Sequence, residues 1–445
     1  MIHATQLLAD FVYNLKFEDI KKSDVEYTKL LIMDYFAASY AGIRVNGVFN
    51  SAIEDILFEQ GGKEEATVLG GRKLPAMNAA FLNACYAHGA DMDDGHKRAM
   101  GHVGAHVISA VFAFAETLAV TGQDVITAIV AGYEIYVRTS AAAQPGLVHR
   151  GFHSTGTAGV IACAAACAKL LKLDAKGIYN AMAVSVTQAN GLMIIAESGQ
   201  MIKPINPARA AQGGILSALL VKNGVEGGVF PLESEKGWFH AMTDRVDEEM
   251  ITKGLGEKFE VSQCYFKPYP SCRHTHAGIE AGLELRKNID SRDIESVKLY
   301  TYRNAIQIAG QIVVPEKDGD SKFSIHYSLA CAILRGHFNL SDLELENNED
   351  IIEFAKRIEL IEDESMEIKE KGIRGARCEF TMKDGKVLSK TVSVPKGDPE
   401  SPFTIGDMRE KLMGCISSEN PEETAEKVIS YVNDIENQDK FQYFV

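Results

Sequence analysis

The chain has 445 residues, 46% of them apolar and 24% charged, with a formal net charge of −15 at pH 7. This length accommodates two or three domains around a large core. The acidic balance excludes a general role on nucleic acid or on an anionic membrane surface, and no apolar run reaches the roughly 18 residues of a membrane span.

The opening stretch MIHATQLLADFVYNL has no basic segment and no small-residue cleavage site, so it does not read as a signal peptide. Eight cysteines are scattered without a CxxC pair, which points to reduced thiols and a cytoplasmic protein. Residues 4–15, 24–42 and about 49–59 carry helical spacing. Gly61, Gly62, Gly70 and Gly71 bracket a short extended piece at 66–69. Residues 75–88 predict a helix with Pro75 in its first turn. The next stretch, HGADMDDGHKRAMGHVGAH at 88–106, packs four histidines and three aspartates into nineteen residues. Helices follow at about 104–119, 121–143, 155–171, 175–188 and 207–223. Thr121 and Asp124 form a capping box for the second of these. Ala- and Gly-rich faces allow close helix approach. The pattern therefore predicts an all-helical domain over 1–264.

After Cys264 the pattern alternates. Residues 294–303, 376–382 and 387–394 read as strands, the last two joined at Asp384-Gly385 in a hairpin. Helices are predicted near 272–288 and 322–335. A smaller α+β domain is thus expected at 265–399, with helices in 400–445 packing back on the first domain. The fold class is mainly α.

Cationic and imidazole groups recur at predicted helix starts: His153, Lys203 with Arg209, Lys267 with Arg273, His274 and His276, and Lys322 with His326 and Tyr327. Helix N-termini carry free N–H groups and partial positive charge, so such a set suits a small di- or tricarboxylate. Taken singly, each group has a plainer reading. Asp93 and Asp94 could cap a helix, Arg209 and Arg273 could pair with nearby acids, and Lys322 could lie on the surface. His102 and His106 stand one helical turn apart, but the Glu of HExxH and a third ligand are missing, so no metal is expected. Neither GxGxxG nor GxxxxGK[ST] occurs in a suitable setting, so no nucleotide cofactor is expected.

In their order along the chain these stretches resemble the MmgE/PrpD family. The resemblance rests on His88-Gly89-Ala90-Asp91-Met92-Asp93-Asp94-Gly95, His102-Val103-Gly104, Gly151-Phe152-His153-Ser154-Thr155-Gly156-Thr157, Lys203 ahead of Ala210-Ala211-Gln212-Gly213-Gly214, Lys267-Pro268-Tyr269-Pro270 and Lys322-Phe323-Ser324 with Tyr327. Two positions depart from the family pattern: Gly95 stands for its Thr and Val103 for its Pro. The resemblance implies a large helical domain, a smaller lid-like one, an active site between them, a homodimer and no cofactor or metal. It puts catalytic positions at Asp91, His102, His153 and Tyr327, with His102 and His153 as an acid/base pair, and substrate-binding positions at Lys203 and Lys267. Asp94, His96, Arg273 and Lys322 are further candidates for substrate binding. The expected activity is that of a lyase dehydrating a 2-methylcitrate-like tricarboxylate. The alternatives are a cis-aconitate-type decarboxylase, an epimerase of an imino- or amino-dicarboxylate, and a non-catalytic carboxylate binder.

Overall fold

The computed structural model describes residues 2–197, 200–287, 289–368 and 372–444. The chain divides into two compact units, Met1–Tyr265 with Thr404–Val445, and Phe266–Phe403. The fold is mainly α, as the periodicity predicts. No helix among the described residues is long and apolar enough to cross a membrane.

Unit 1 is built on α1 (Ala4–Asn14), α2 (Lys22–Val45), α3 (Ala76–Gly89), α4 (Gly104–Ala115), α5 (Gly122–Ala142), α6 (Gly159–Leu170), α7 (Ala175–Ser185) and α8 (Ile205–Lys222). All of α4 is buried, which follows from its nearly unbroken apolar sequence. α8 packs against α3, α4 and α6. A Cβ on Gly214 would fall 2.2 Å from Cβ of Cys163, so the α6–α8 approach requires glycine there. The Thr121–Asp124 box forms as expected, with reciprocal bonds of 3.0 and 3.1 Å. The helix expected over 155–171 forms as one helical turn, Ser154–Thr157, leading into α6. The backbone at Ala158 between them stays helical, with φ −81° and ψ −29°.

Two short strands complete the part of unit 1 that matters below. β1 (Gly95–His96) pairs antiparallel with β2 (Cys264–Tyr265), with Gly95 opposite Tyr265. A Cβ on Gly95 would lie 2.4 Å from the Tyr265 hydroxyl. The phenol therefore fills the space that the family's Thr side chain would need.

Unit 2 contains α9 (His276–Arg286), α10 (Ile325–Arg335) and a four-stranded sheet. Its strands are β3 (Ile294–Thr301), β4 (Ile358–Glu362), β5 (Ala376–Met382) and β6 (Val387–Val392), in the order β6-β5-β3-β4. The β5–β6 hairpin forms as expected and pairs Thr381 with Val387. β4, which the sequence reading did not anticipate, runs parallel to β3 and pairs Val297 with Ile358. α9 covers one sheet face, where Cys378 and Phe380 are buried and Gly278 allows contact with Leu299. The chain then returns to unit 1 with α11 (Ile405–Cys415) and α12 (Pro421–Asp434); α11 packs on α2.

Candidate functional site

The loop between α3 and α4 is fixed at both ends. At its start, α3 crosses α2 where Gly42 leaves no room for a Cβ, which would sit 1.8 Å from the Tyr86 carbonyl oxygen. At its end, Oδ1 of Asp94 accepts from Gly104 N at 2.7 Å and so caps α4, while Oδ2 accepts from the Tyr133 hydroxyl at 3.0 Å. Burial, with the charges of Asp34 and Asp93, raises the Asp94 carboxyl to about 7. Both its oxygens are engaged within the protein, so the expected substrate-binding role of Asp94 gives way to a capping one. Ser154 Oγ and Thr155 Oγ1 hold the loop from the other side, through Met100 O at 2.7 Å and His102 N at 3.2 Å.

Within unit 1 the loop meets two other segments. Lys203 Nζ donates to Oδ1 of Asp91, which adopts a left-handed backbone with φ +57°. Such a conformation is uncommon for a residue with a Cβ and is held here by its surroundings. His102 Nε2 lies 3.8 Å from the same Asp91 oxygen. His102 Nδ1 faces two acceptors, the Asp94 carbonyl oxygen at 2.9 Å and Asp93 Oδ1 at 3.3 Å. In the neutral ring the proton therefore sits on Nδ1 and the lone pair on Nε2. His153 heads the Ser154–Thr157 turn and its Nδ1 lies 2.9 Å from the Asn206 amide nitrogen, which donates to it. That leaves the His153 proton on Nε2. Burial, then the charges of His88, Lys203 and His102, hold the His153 pKa well below the usual imidazole range. His153 is thus a neutral N–H donor, a different part from that of His102.

His88 stands between them, its ring centroid 4.8 Å from that of His102 and 6.0 Å from that of His153. Its Nδ1 lies 2.7 Å from Asp93 Oδ2. Burial opposes ionisation of Asp93, but the charges and hydrogen bonds of His102 and His88 outweigh it and keep the carboxyl well below its ordinary range. Neither His88 nor Asn206 was anticipated as a site residue. The signal for His88 was its own motif, and for Asn206 its place three residues after Lys203 at a helix start. The donor atoms of His88, Asp93 and His102 lie within 4.8 Å of one another, the group among the described residues with metal-ligand spacing. Its fit to a metal is poor, because the His102 nitrogen on that side is directed at a backbone carbonyl and is the protonated one in this arrangement. His106 lies apart, with its ring 5.0 Å from that of Tyr136.

His96 does not join the group. Its Nδ1 accepts from Ala99 N at 3.2 Å and its Nε2 faces Glu260 at 3.2 Å. Arg98 bonds the same Glu260 carboxylate at 2.5 Å. His96 thus fastens β1 to the segment before β2 instead of serving a ligand. Burial resists ionisation of Glu260, yet the hydrogen bond from His96 and the charges of His96, Arg98 and Arg138 bring its carboxyl down to about 2. A depressed carboxylate stabilises the fold above its unfolded pKa, near 4.5, and loses that contribution as pH falls through the folded value. Glu260→Gln should therefore be less stable than wild type by on the order of 2–3 kcal/mol above pH about 5, with the gap closing toward pH 2. Urea unfolding across that range checks this, and a gap that is constant with pH would contradict it.

In unit 2, Lys267 is buried, and its charge, after burial and Arg374, helps to hold His274 down to about 3. His274 Nδ1 is 2.5 Å from the Tyr302 hydroxyl. Arg273 is committed to structure: it donates to the Phe266, Pro395 and Lys396 carbonyls and to Asp398 Oδ1 at 2.6 Å. It clamps the 395–398 turn, in place of the expected substrate contact. Tyr327 is fully buried, and its hydroxyl donates to the Asp342 carbonyl at 2.7 Å. In this structure that proton is bonded to the Asp342 carbonyl within unit 2. Lys322 is half-buried, and its carbonyl accepts from Cys272 N at 2.9 Å, tying its turn to the Pro-rich segment.

Two family models match the chain: the MmgE/PrpD N-terminal domain over residues 6–250 and the MmgE/PrpD C-terminal domain over 269–437. The chain belongs to the MmgE/PrpD family. Curated relatives within reach carry one activity in their names. A cis-aconitate decarboxylase of Aspergillus terreus is 28% identical over 428 residues, covering 89% of this chain and 86% of the relative. A cis-aconitate decarboxylase-like protein of Aspergillus oryzae is 26% identical over 464 residues, covering 98% and 95%. The human cis-aconitate decarboxylase is 25% identical over 448 residues, covering 97% and 92%. The MmgE/PrpD assignment makes this chain a relative of lyases.

Proposed function

We propose that the protein is a lyase that decarboxylates a tricarboxylate of the cis-aconitate type, using the unit 1 cluster of Lys203, Asp91, His102 and His153. The observation that carries the reading is the division of labour between two imidazoles beside one ammonium. His102 presents a lone pair on Nε2 and can carry a proton there, whereas His153 stays neutral and offers an N–H. The names of the curated relatives put decarboxylation ahead of the dehydration expected from the motifs. The proposal includes a homodimer, as the family resemblance implies.

In such a reaction the bond to the carboxylate on the substrate CH2 breaks as CO2 leaves, and its electron pair spreads over the allylic system as the new terminal C=C. The protonated His102 Nε2 gives its proton to the former alkene CH carbon. One proton is consumed and is regained by His102 from water. Negative charge that builds on the allylic system and its carboxylates is met by the Lys203 ammonium and the His153 N–H, which strengthens in effect as the site desolvates. Asp91 holds Lys203 in place until a substrate carboxylate takes its share of the ammonium.

The test is an NMR time course in D2O with cis-aconitate, 2-methylcitrate and an amino-dicarboxylate offered separately, with CO2 measured in parallel. Decarboxylation releases CO2 from cis-aconitate and leaves one deuterium on the product CH2. Alkene formation from 2-methylcitrate without CO2 would replace this reading with dehydration. Exchange of an α-proton without loss of a fragment would replace it with epimerisation. Ligand-induced thermal stabilisation with no conversion would leave a binding protein.

A further inference from the structure

Asp93 lies between two imidazoles, with Oδ2 2.7 Å from Nδ1 of His88 and Oδ1 3.3 Å from Nδ1 of His102. The side chains of His88 and Asp93 are 0% and 2% exposed, and that of His102 is 12% exposed. Neither of the first two can touch a substrate without the loop opening. The other nitrogen of His88, Nε2, is buried with no hydrogen-bond partner among the described residues. A proton there would be a buried donor with no acceptor, whereas a proton on Nδ1 meets a carboxylate. The His88 ring is therefore fixed with its hydrogen toward Asp93.

We propose that His88 and Asp93 are positioning residues: the His88 Nδ1–H turns the Asp93 carboxylate so that its second oxygen faces His102 Nδ1, keeping the His102 lone pair on Nε2. The inference rests on the reading of His102 as the proton carrier. The Asp94 carbonyl receives the His102 N–H, whereas Asp93 Oδ1, 3.3 Å away, makes no hydrogen bond among the described residues and acts on the ring through its charge and position. The orienter's identity then matters through its two faces. An amide at position 93 has one acceptor and one donor. His88 claims the acceptor, which turns the amide N–H2 against the His102 Nδ1–H, donor to donor. Without that claim the amide is free to present its oxygen to His102. The two substitutions are therefore expected to be non-additive.

The experiment uses the full chain labelled with 15N-histidine, in the absence of substrate, and reads the His102 tautomer by long-range 1H–15N correlation. Wild type is expected to show the neutral ring with hydrogen on Nδ1. Asp93→Asn should move it to the Nε2–H form, His88→Leu/Asp93→Asn should restore Nδ1–H, and His88→Asn, whose amide nitrogen can stand near the place of Nδ1, should keep it. In turnover, Asp93→Asn should lower kcat by about 10²-fold or more with KM within about threefold, and the double variant should recover at least about tenfold of that. A wild-type ring with hydrogen on Nε2, an unchanged tautomer in Asp93→Asn, or a double variant no better than Asp93→Asn would overturn the proposal. If His88→Leu does not fold, the Asp93→Asn and His88→Asn spectra decide it. The spectra need no turnover, so an inactive wild type with the expected tautomer would defeat the proposed reaction and leave this inference standing.

Discussion

His102→Gln is expected to lower kcat by about 10²-fold or more while KM changes by less than about threefold. The expectation follows from what glutamine keeps and loses. It retains roughly the length of the side chain and an amide that can face the Asp94 carbonyl, so the loop should remain folded and Lys203 should still bind carboxylate. It has no nitrogen that takes and returns a proton near neutral pH. Only the transition state, in which a proton is being transferred to carbon, then loses an interaction, and this is the pattern of reduced kcat at nearly constant KM. The same substitution at His153 should act differently. His153 offers an N–H while neutral, and glutamine can do that. Steady-state kinetics on the substrate identified by the NMR panel check this. A His102→Gln variant within threefold of wild-type kcat would remove His102 from the mechanism.

Much of this site was legible because its residues lie in short stretches with a chemical reason to be together. The motif from His88 to Gly95, the Gly-Phe-His stretch at 151–153 and Lys203 ahead of a helix converge within unit 1. What failed depended on partners distant in sequence. His96 looked like one more imidazole of the same loop, but its partner is Glu260, brought in by the β1–β2 pairing. Asp94 caps a helix ten residues further on, not the segment it begins. Arg273 and Tyr327 bond to carbonyls of the 395–398 turn and of Asp342, partners that no local spacing reveals. In the fold, the β5–β6 hairpin was readable from Asp384-Gly385 and alternation. β4 was not, since its burial runs from buried at Ile358 to exposed at Glu362 without a clear period of two. The departure at Gly95 gains its meaning only from Tyr265, whose ring occupies the space opposite it.

Lys411→Met is expected to destabilise unit 1 by about 3–5 kcal/mol, the range for breaking a buried ion pair by removing one partner. Lys411, on α11, reaches through the core to Asp34 Oδ1 at 2.5 Å and to the Met92 carbonyl at 2.7 Å. The two charged side chains are 2% and 1% exposed. Methionine matches the apolar stem of lysine, so packing changes little, and the loss isolates the charge and its two hydrogen bonds. Asp34 then loses the Lys411 ammonium while remaining buried, and the Met92 carbonyl loses a donor. Lys411→Met/Asp34→Leu should recover part of the loss, because it removes the buried carboxylate but does not restore the donor to the Met92 carbonyl. Met92 lies between Asp91 and Asp93, so the same lysine also braces the loop that carries the candidate chemistry. Loss of stability in Lys411→Met should therefore be accompanied by a lower kcat at temperatures where the variant is still fully folded. Urea denaturation of the three proteins, with turnover measured well below the transition, tests both parts. A single variant within about 1 kcal/mol of wild type would mean that Asp34 accommodates the loss of the ammonium and that the pair contributes little to stability.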